Sequence, residues 1–391
     1  MVDTQAEGST GFLFLSVHNR WVYALAESLA QHHVAHTVKL YDWYTYWRHR
    51  PTWPDPDPGA DITRTLRVLP PGFAGRLEWL SRPFMRAMVD RWRRELRDRC
   101  GTEPYVVVPY PYLAPWVQNV PEKRLVYYNL DAYTLYQPER VDRIRKQESK
   151  LVERAELTIC LAQRQDESLR ERHPSHASRI HHFPLGVLES FLNPDPMSGL
   201  GEEADVGYVG NLTERVDWDF VRDVAEACPD LRFRFAGGLE SIETGADRPG
   251  WQNTRAEAFS LPNVEHLGRI PQEEVTEVYW NSAVNWIPYD SDHPFNEASC
   301  PTKIMDALAS GRPLVSTAVP ECTLYPEWID IADSADEAAA ILHDHIENPN
   351  AHAHSKQVQF AEQHTWNHRA DTLQHLLDQE TVPRAARHSI D

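Results

Sequence analysis

Residues 297–321 read EASCPTKIMDALASGRPLVSTAVPE, a loop, a helix and a strand in succession. Pro301 fixes φ and suits the first turn of a helix, Ser299 and Thr302 are candidate caps, and Ile304, Ala307 and Leu308 share one face. The spacing predicts a helix over 301–310. Gly311 stops it where a left-handed residue is wanted, and PLVST then enters a buried parallel strand. A helix start with Lys303 in its first turn suits a phosphorylated ligand, because free N–H groups and the helix dipole favour negative charge.

The preceding segments repeat this grammar. Residues 204–238, ADVGYVGNLTERVDWDFVRDVAEACPDLRFRFAGG, read as strand, glycine turn, helix and strand. The Gly210–Asn211 turn stands where backbone approaches phosphates, and Gly237 and Gly238 end the second strand. NVEHLGRIPQEEVTEVYWNSAVNWIPY, 263–289, adds strand, helix and strand, and is expected to carry Asn285, Pro288 and Tyr289 to the same edge. Three strand ends spaced by helices all face one way, which is the pattern of a Rossmann-like domain with its ligand beyond the carboxyl edge.

The first half has its own run of strands. GFLFLSVHNRW predicts a buried strand over 11–17, a loop at His18–Arg20 and a helix near 21–32, followed by the strand TVKLYDW. By the same carboxyl-edge rule His18, Asn19, Arg20, Asp42 and Trp43 should line a cleft. No glycine-rich loop follows the first strand, so this half suits an acceptor rather than a phosphate. YVVVPYPYL and RLVYYNLDAY predict two more strands, whose ends bring Tyr110, Tyr112, Trp116, Asn129, Asp131 and Tyr133 to that cleft. Asp131 is the candidate base, because a carboxylate at a strand end in a partly dry cleft has the reach and the raised pKa to accept a hydroxyl proton; an Asp capping the next helix is the alternative.

Between these strands, 47–75 is rich in Pro and Arg and reads as an irregular excursion with one strand, RTLRVLP. Residues 76–99 read as a helix broken near Pro83, with a Leu80, Phe84, Met88 stripe beside Trp79 and Trp92 and eight Arg against four acids. Two readings stay open: a solvated helix with its stripe in the core, or a basic amphipathic surface for an anionic membrane.

At 391 residues the chain has material for two cores. Residues 1–195 carry a net +2 and 196–391 a net −21, together the −19 of the chain, and such acidity argues against nucleic acid as a partner. Five scattered Cys without a C-x-x-C point to a reducing compartment with neither disulfide framework nor zinc site, and the His spacings suggest no metal. Neither a signal peptide nor an 18-residue apolar run is seen. The expected location is cytoplasmic, with any peripheral contact at the inner face of the plasma membrane.

The run P-T-K-I-M-D-A-L-A-S-G-R-P-L-V-S-T, ending in P-E at Glu321, resembles the donor-binding segment of bacterial family-4-like GT-B glycosyltransferases. V-G-Y-V-G-N-L-T-E-R, L-G-R-I-P and R-I-H-H-F-P-L-G-V resemble further segments of that family. The resemblance implies an α/β fold of two Rossmann-like domains facing a cleft, with a C-terminal helix crossing back to the first. The domains would be an acceptor-binding half over 1–192 and a donor-binding half over 193–365, with a hinge in 193–205. Residues 366–378 would form the returning helix and 379–391 a frayed tail.

The implied activity is transfer of a sugar from a UDP- or GDP-sugar to a glycan, lipid-linked or small-molecule hydroxyl, as in polysaccharide biosynthesis, without a metal or prosthetic group. A nucleotide-sugar epimerase or hydrolase, and a non-catalytic nucleotide-sugar binder, are the alternatives. The implied donor residues are Gly210, Asn211, Gly237, Arg269, Pro288, Tyr289, Pro301, Thr302, Lys303, Asp306 and Glu321. Asn19, Arg20, Trp43, Tyr110 and Tyr133 would bind the acceptor, and Asp131, His18 and Lys303 would be catalytic. Two departures stand out. No Arg occupies the usual place after the first glycine turn, although Arg215 could be displaced into the role, so Lys303 with the helix terminus should carry most of the charge; and Ala298 and Asp306 replace the two spaced glutamates of retaining relatives. Both favour an inverting displacement assisted by a base.

Overall fold

The computed structural model describes residues 9–50, 52–54, 56–70, 72–73, 78–196, 205–240 and 249–381. Most of the expected hinge (197–204), the end of the expected frayed tail (382–391) and residues 76–77 lie outside the described residues. The chain divides into one unit of Met1–Pro184 with Trp366–Asp391 and a second of Leu185–Thr365.

The first unit runs β1 (Gly11–Leu15), α1 (Arg20–Leu29), β2 (Val34–Asp42), α2 (Trp43–His49), β3 (Ile62–Leu69), α3 (Glu78–Cys100), β4 (Tyr105–Val108), β5 (Leu125–Asn129), α4 (Tyr133–Tyr136), α5 (Val141–Arg154), β6 (Leu157–Cys160), α6 (Gln163–Arg172) and β7 (Ile180–His182). Its seven strands are all parallel in the order β3-β2-β1-β4-β5-β6-β7. Every residue of β1, β4 and β5 is buried, as expected where both faces of a parallel sheet are covered.

The second unit runs β8 (Asp205–Val209), α7 (Trp218–Ala227), β9 (Arg232–Ala236), α8 (Trp251–Ala258), β10 (Val264–Gly268), α9 (Val275–Asn281), β11 (Val284–Ile287), α10 (Pro294–Glu297), α11 (Lys303–Ala309), β12 (Leu314–Ser316), β13 (Ile329–Ile331), α12 (Ala335–Glu347) and α13 (Ala351–Glu362). Its six parallel strands follow the order β10-β9-β8-β11-β12-β13. The last helix, α14 (Trp366–Thr381), belongs to the first unit, where it packs on α1 and buries Leu373 and Leu377. This is the returning helix that the resemblance implies.

Both sheets reverse their strand order beside the first strand of the unit, between β1 and β4 and between β8 and β11. Loops leaving adjacent strands there turn to opposite faces and open a crevice at the carboxyl edge, so ligands are expected at these two points.

Several local expectations are corrected. The helix predicted over 301–310 is the shorter α11, and Thr302 makes no side-chain cap. Gly311 does adopt φ +69°, and the carbonyls of Ala309 and Ser310 are taken by the backbone N–H and side-chain amide of Asn193. Part of the predicted irregular segment is helical, because Asp42 caps α2 by accepting from the Thr45 N–H at 2.9 Å. The described part of that stretch, 78–99, is one helix, with Pro83 inside α3. Met85, Val89, Trp92 and Leu96 form its buried stripe, and this packing carries the helix past the hydrogen bond that Pro83 cannot donate. Of the expected stripe, Trp92 is in the core while Trp79, Leu80 and Phe84 are exposed.

Candidate functional site

In the second unit the loop after β8 and the loop after β11 meet at the switch point. The first supplies Gly210, Asn211 and Arg215; the second supplies Pro288, Tyr289 and, through α10, Asn296 and Ser299. Lys303, in the first turn of α11, is buried and donates from Nζ to the Tyr289 hydroxyl. The same ammonium lies 4.8 Å from the centre of the Tyr289 ring and 5.1 Å from that of Tyr208. A buried Lys needs such partners, because desolvating an unpaired ammonium is costly.

Arg215 reaches the same phenol. Its guanidinium carbon is 5.4 Å from the Tyr289 ring centre, and it is braced by Nε donating to Asn296 Oδ1 and Nη2 donating to Ser299 Oγ, each at 2.8 Å. Hydrogen bonds of a charged group contribute about 1.5–3 kcal/mol each, enough to fix the guanidinium. Asn296 is fully buried, and its amide donates to the carbonyls of Arg215 and Asp290 at 2.8 Å. Two cations thus converge on Tyr289, and Arg215 stands where it can share the role that the sequence assigns mainly to Lys303.

Their effect appears on the phenol. Burial alone would push the Tyr289 hydroxyl up, yet the charges of Lys303 and Arg215, with hydrogen bonds from Lys303 and Tyr208, bring it below its ordinary value. Tyr208, buried and facing Tyr289, is pushed well above. The cluster is thus a place where negative charge is stabilised.

Two glycines make the room. A Cβ on Gly210 would lie 2.4 Å from Lys303 Cε, and one on Gly237 would lie 1.8 Å from the Gly210 carbonyl oxygen. Asn211 is exposed and its carbonyl accepts from the Tyr208 hydroxyl at 2.9 Å. Pro301, Asp306 and Glu321 are buried and Thr302 is half-buried. Arg269 is exposed and pairs with Glu240 at 2.7 Å, outside the cation cluster. Asn285 lies within β11 rather than at its end, buried and donating to Tyr279 O and Ser310 Oγ, so its role is structural.

In the first unit the switch-point loops carry a different chemistry. β1 is followed by Ser16, a buried non-glycine residue at φ +59° whose Oγ is 2.7 Å from the Tyr112 hydroxyl. His18 follows, edge-on to Tyr41 at 4.9 Å and 6.2 Å from Tyr110. His18 keeps an exposed edge but is crowded by protein on its other sides; that partial desolvation, with the nearby Lys39 charge second, lowers its pKa from 6.5 to about 4 and favours the neutral imidazole. Tyr110 stacks on Tyr112 at 5.4 Å and meets Tyr133 at 5.5 Å. Tyr133 donates to Pro109 O at 2.6 Å.

Asp131 accepts from the Ala132 N–H at 2.8 Å and from the Tyr136 hydroxyl, and its charge acts on both Tyr110 and Tyr133. His18, Tyr110, Asp131 and Tyr133 are therefore brought together. The remaining expected acceptor residues are not part of this aromatic cluster. Asn19 caps α1 by accepting from Val22 N–H at 2.9 Å, Arg20 lies over the Trp21 ring, and Trp43 is exposed at the start of α2.

Residues 215–375 match the family described as Glycosyl transferase-like. Over 183 residues the chain is 24% identical to a putative teichuronic acid biosynthesis glycosyltransferase, TuaH, of Bacillus subtilis (strain 168). That match covers 45% of this chain and 44% of the relative, so it spans less than half the length of either. Among solved structures, sucrose-phosphate synthase from Thermosynechococcus elongatus superposes with a TM-score of 0.66 at 17% identity, covering 95% of this chain and 98% of that one. A UDP-forming trehalose-phosphate synthase from Burkholderia xenovorans gives 0.59 at 10% identity, covering 96% and 100%. At these identities the structural likeness is one of fold.

Proposed function

We propose that the chain, which matches a glycosyl transferase-like family over residues 215–375 and shares its fold with sucrose-phosphate synthase, moves a sugar from a nucleoside-diphosphate sugar to an acceptor hydroxyl. The observation that carries this reading is the convergence of Lys303 and Arg215 on Tyr289, beside a glycine turn at the switch point of the second sheet. The second unit is the donor half. Its two cations hold the diphosphate and neutralise the charge that develops as the bond from the anomeric carbon to the leaving oxygen breaks. Gly210, Asn211 and Gly237 let backbone approach the phosphates, and Arg269, Pro288, Pro301, Thr302, Asp306 and Glu321 complete the donor side.

The first unit is the acceptor half, with Tyr110 and Tyr133 offering rings against which an acceptor packs. Asp131 takes the proton of the attacking hydroxyl while the new bond to the anomeric carbon forms, and the nucleoside diphosphate departs. His18, neutral at pH 7, accepts a hydrogen bond from the acceptor and orients it. One reason for favouring inversion falls away, since Arg215 does join Lys303. The other, Ala298 and Asp306 in place of two glutamates, still favours an inverting path without a metal. The acceptor is a glycan, lipid-linked or small-molecule hydroxyl in polysaccharide biosynthesis on the cytoplasmic side. The exposed start of α3 is open to a membrane that presents a lipid-linked acceptor.

The test is a thermal-stabilisation screen with nucleoside diphosphates and their sugars, followed by donor turnover with and without acceptors. A transferase releases the diphosphate much faster when an acceptor is present. Turnover indifferent to every acceptor would favour a hydrolase or epimerase, and stabilisation without turnover a binder.

A further inference from the structure

Seven of the ten exposed large hydrophobic side chains among the described residues fall between Trp43 and Phe84. Trp43, Tyr44 and Trp47 come from α2, Val68 from β3, and Trp79, Leu80 and Phe84 from the first two turns of α3. The six on helices are each 51–67% exposed.

Topology gathers them. β3 is the edge strand, and Asp42 pairs with Leu69 in register, so α2 starts beside the end of β3. α3 begins a few residues beyond that end, and its first turn is tied back by Ser81 Oγ donating to Phe73 O at 2.8 Å and by the Phe73 and Phe84 rings 6.0 Å apart. Two helix starts and an edge strand thus present one aromatic surface at one corner of the sheet. Scattered apolar side chains need no explanation, but a contiguous set of this kind marks an interaction site.

The charge of this corner is opposite to that of the chain. Residues 42–89 hold seven Arg (Arg48, Arg50, Arg64, Arg67, Arg76, Arg82 and Arg86) against five acids (Asp42, Asp55, Asp57, Asp61 and Glu78), a net of +2, and Asp61 precedes β3 at the end far from α2, where Ile62 pairs with Ala35. The whole chain carries −19. A second copy would bring that acidic charge and a second set of exposed arginines, whereas an anionic bilayer complements the arginines while its interface accepts Trp and Tyr rings. No helix among the described residues is long and apolar enough to cross a membrane.

We propose that α2, the end of β3 and the first two turns of α3 form a surface that docks on an anionic lipid bilayer, its aromatic rings entering the headgroup region and its arginines facing the lipid phosphates. The surface differs from an amphipathic α3 acting alone, since the apolar stripe of its later turns, Met85, Val89, Trp92 and Leu96, is in the core. The inference deepens the proposed membrane contact at the start of α3; its own observations are exposure and charge, so vesicle binding tests it separately from sugar transfer.

The test is co-sedimentation of the full chain with vesicles of phosphatidylcholine, with and without phosphatidylglycerol. The chain should bind the phosphatidylglycerol vesicles, the phosphatidylcholine vesicles far less, and added salt should weaken the binding. Trp47→Ser with Trp79→Ser should lower partitioning at least about tenfold, while melting temperature and donor turnover in solution stay unchanged. Arg48→Glu with Arg67→Glu should remove the preference for anionic vesicles, a loss of about tenfold or more. Absence of vesicle binding, or binding that neither variant alters, would overturn the proposal. So would a concentration-dependent dimer that the tryptophan variant dissolves in the absence of vesicle binding. A chain that binds vesicles but turns over no donor keeps this surface and loses only the transferase reading.

Discussion

At the switch point of the second sheet two cations, Lys303 and Arg215, converge on a phenol whose pKa they lower, whereas at the switch point of the first a neutral imidazole, His18, sits among tyrosines whose pKa values burial raises. The backbone plan is the same in both, a parallel sheet that reverses its order beside its first strand. The loops differ. After β8 comes a glycine turn that leaves space for a Lys, and after β1 comes Ser16 in a left-handed conformation, locked to Tyr112. One scaffold thus yields an anion site where its loop keeps backbone and cations close, and an aromatic, proton-accepting site where its loop carries rings.

If that division of labour holds, the heaviest loss follows from removing a cation. Lys303→Ala should lower kcat/KM by about a thousandfold or more, since it removes charge stabilisation of the leaving group and strips the buried phenol of its partner. Steady-state kinetics with saturating acceptor checks this, and a loss under tenfold would place the diphosphate elsewhere. Asp131→Asn comes next, with kcat lower by roughly a hundredfold to ten-thousandfold and donor affinity unchanged. An equal loss of donor binding would erase the contrast between the halves.

A smaller effect concerns pH. His18 is held at about 4, below its ordinary 6.5, so its protonation should begin to reduce kcat/KM only as the pH falls toward 4. Between those values the unfolded chain binds the proton that the folded chain refuses, so this residue makes stability fall as the pH drops from 6.5 toward 4. Lys39→Met removes a charge that disfavours the imidazolium and should move the acid limb of the rate profile upward. A limb that stays in place would detach His18 from catalysis. Least affected should be Arg269→Ala, because Arg269 and its partner Glu240 are both exposed. We expect a change within about 0.5 kcal/mol in stability and a few-fold in KM, measured by denaturant unfolding and initial rates.

Much of the frame was legible because parallel strands buried on both faces write themselves as short apolar runs, as in GFLFL, YVVV and LVYYN. Gly311 was equally readable, since a helix stop of that kind has a local cause. Arg215 was legible only as a residue that could be displaced into the role beside Lys303. Its position depends on Asn296 and Ser299, 81 and 84 residues away in sequence, and no local spacing encodes a brace of that length. Two helices misled for opposite reasons. α2 is made of aromatic residues of modest helix propensity and owes its start to the cap at Asp42, while Pro83 suggested a break that the buried stripe of α3 overrides. Asn19 shows the converse limit, because a polar residue in a loop after a strand reads equally as ligand-binding and as a helix cap, and its side-chain oxygen does cap α1.

The most direct test of the two-cation donor site is calorimetric titration of UDP and GDP into the wild-type chain, Arg215→Ala, Lys303→Ala and the double variant. One of the two nucleotides should bind the wild type. Each single substitution should weaken it by about 1.5–3 kcal/mol, as expected for hydrogen bonds to a charged group, and the double variant should bind too weakly to measure. Binding of both nucleotides that is unchanged by either substitution would contradict the account.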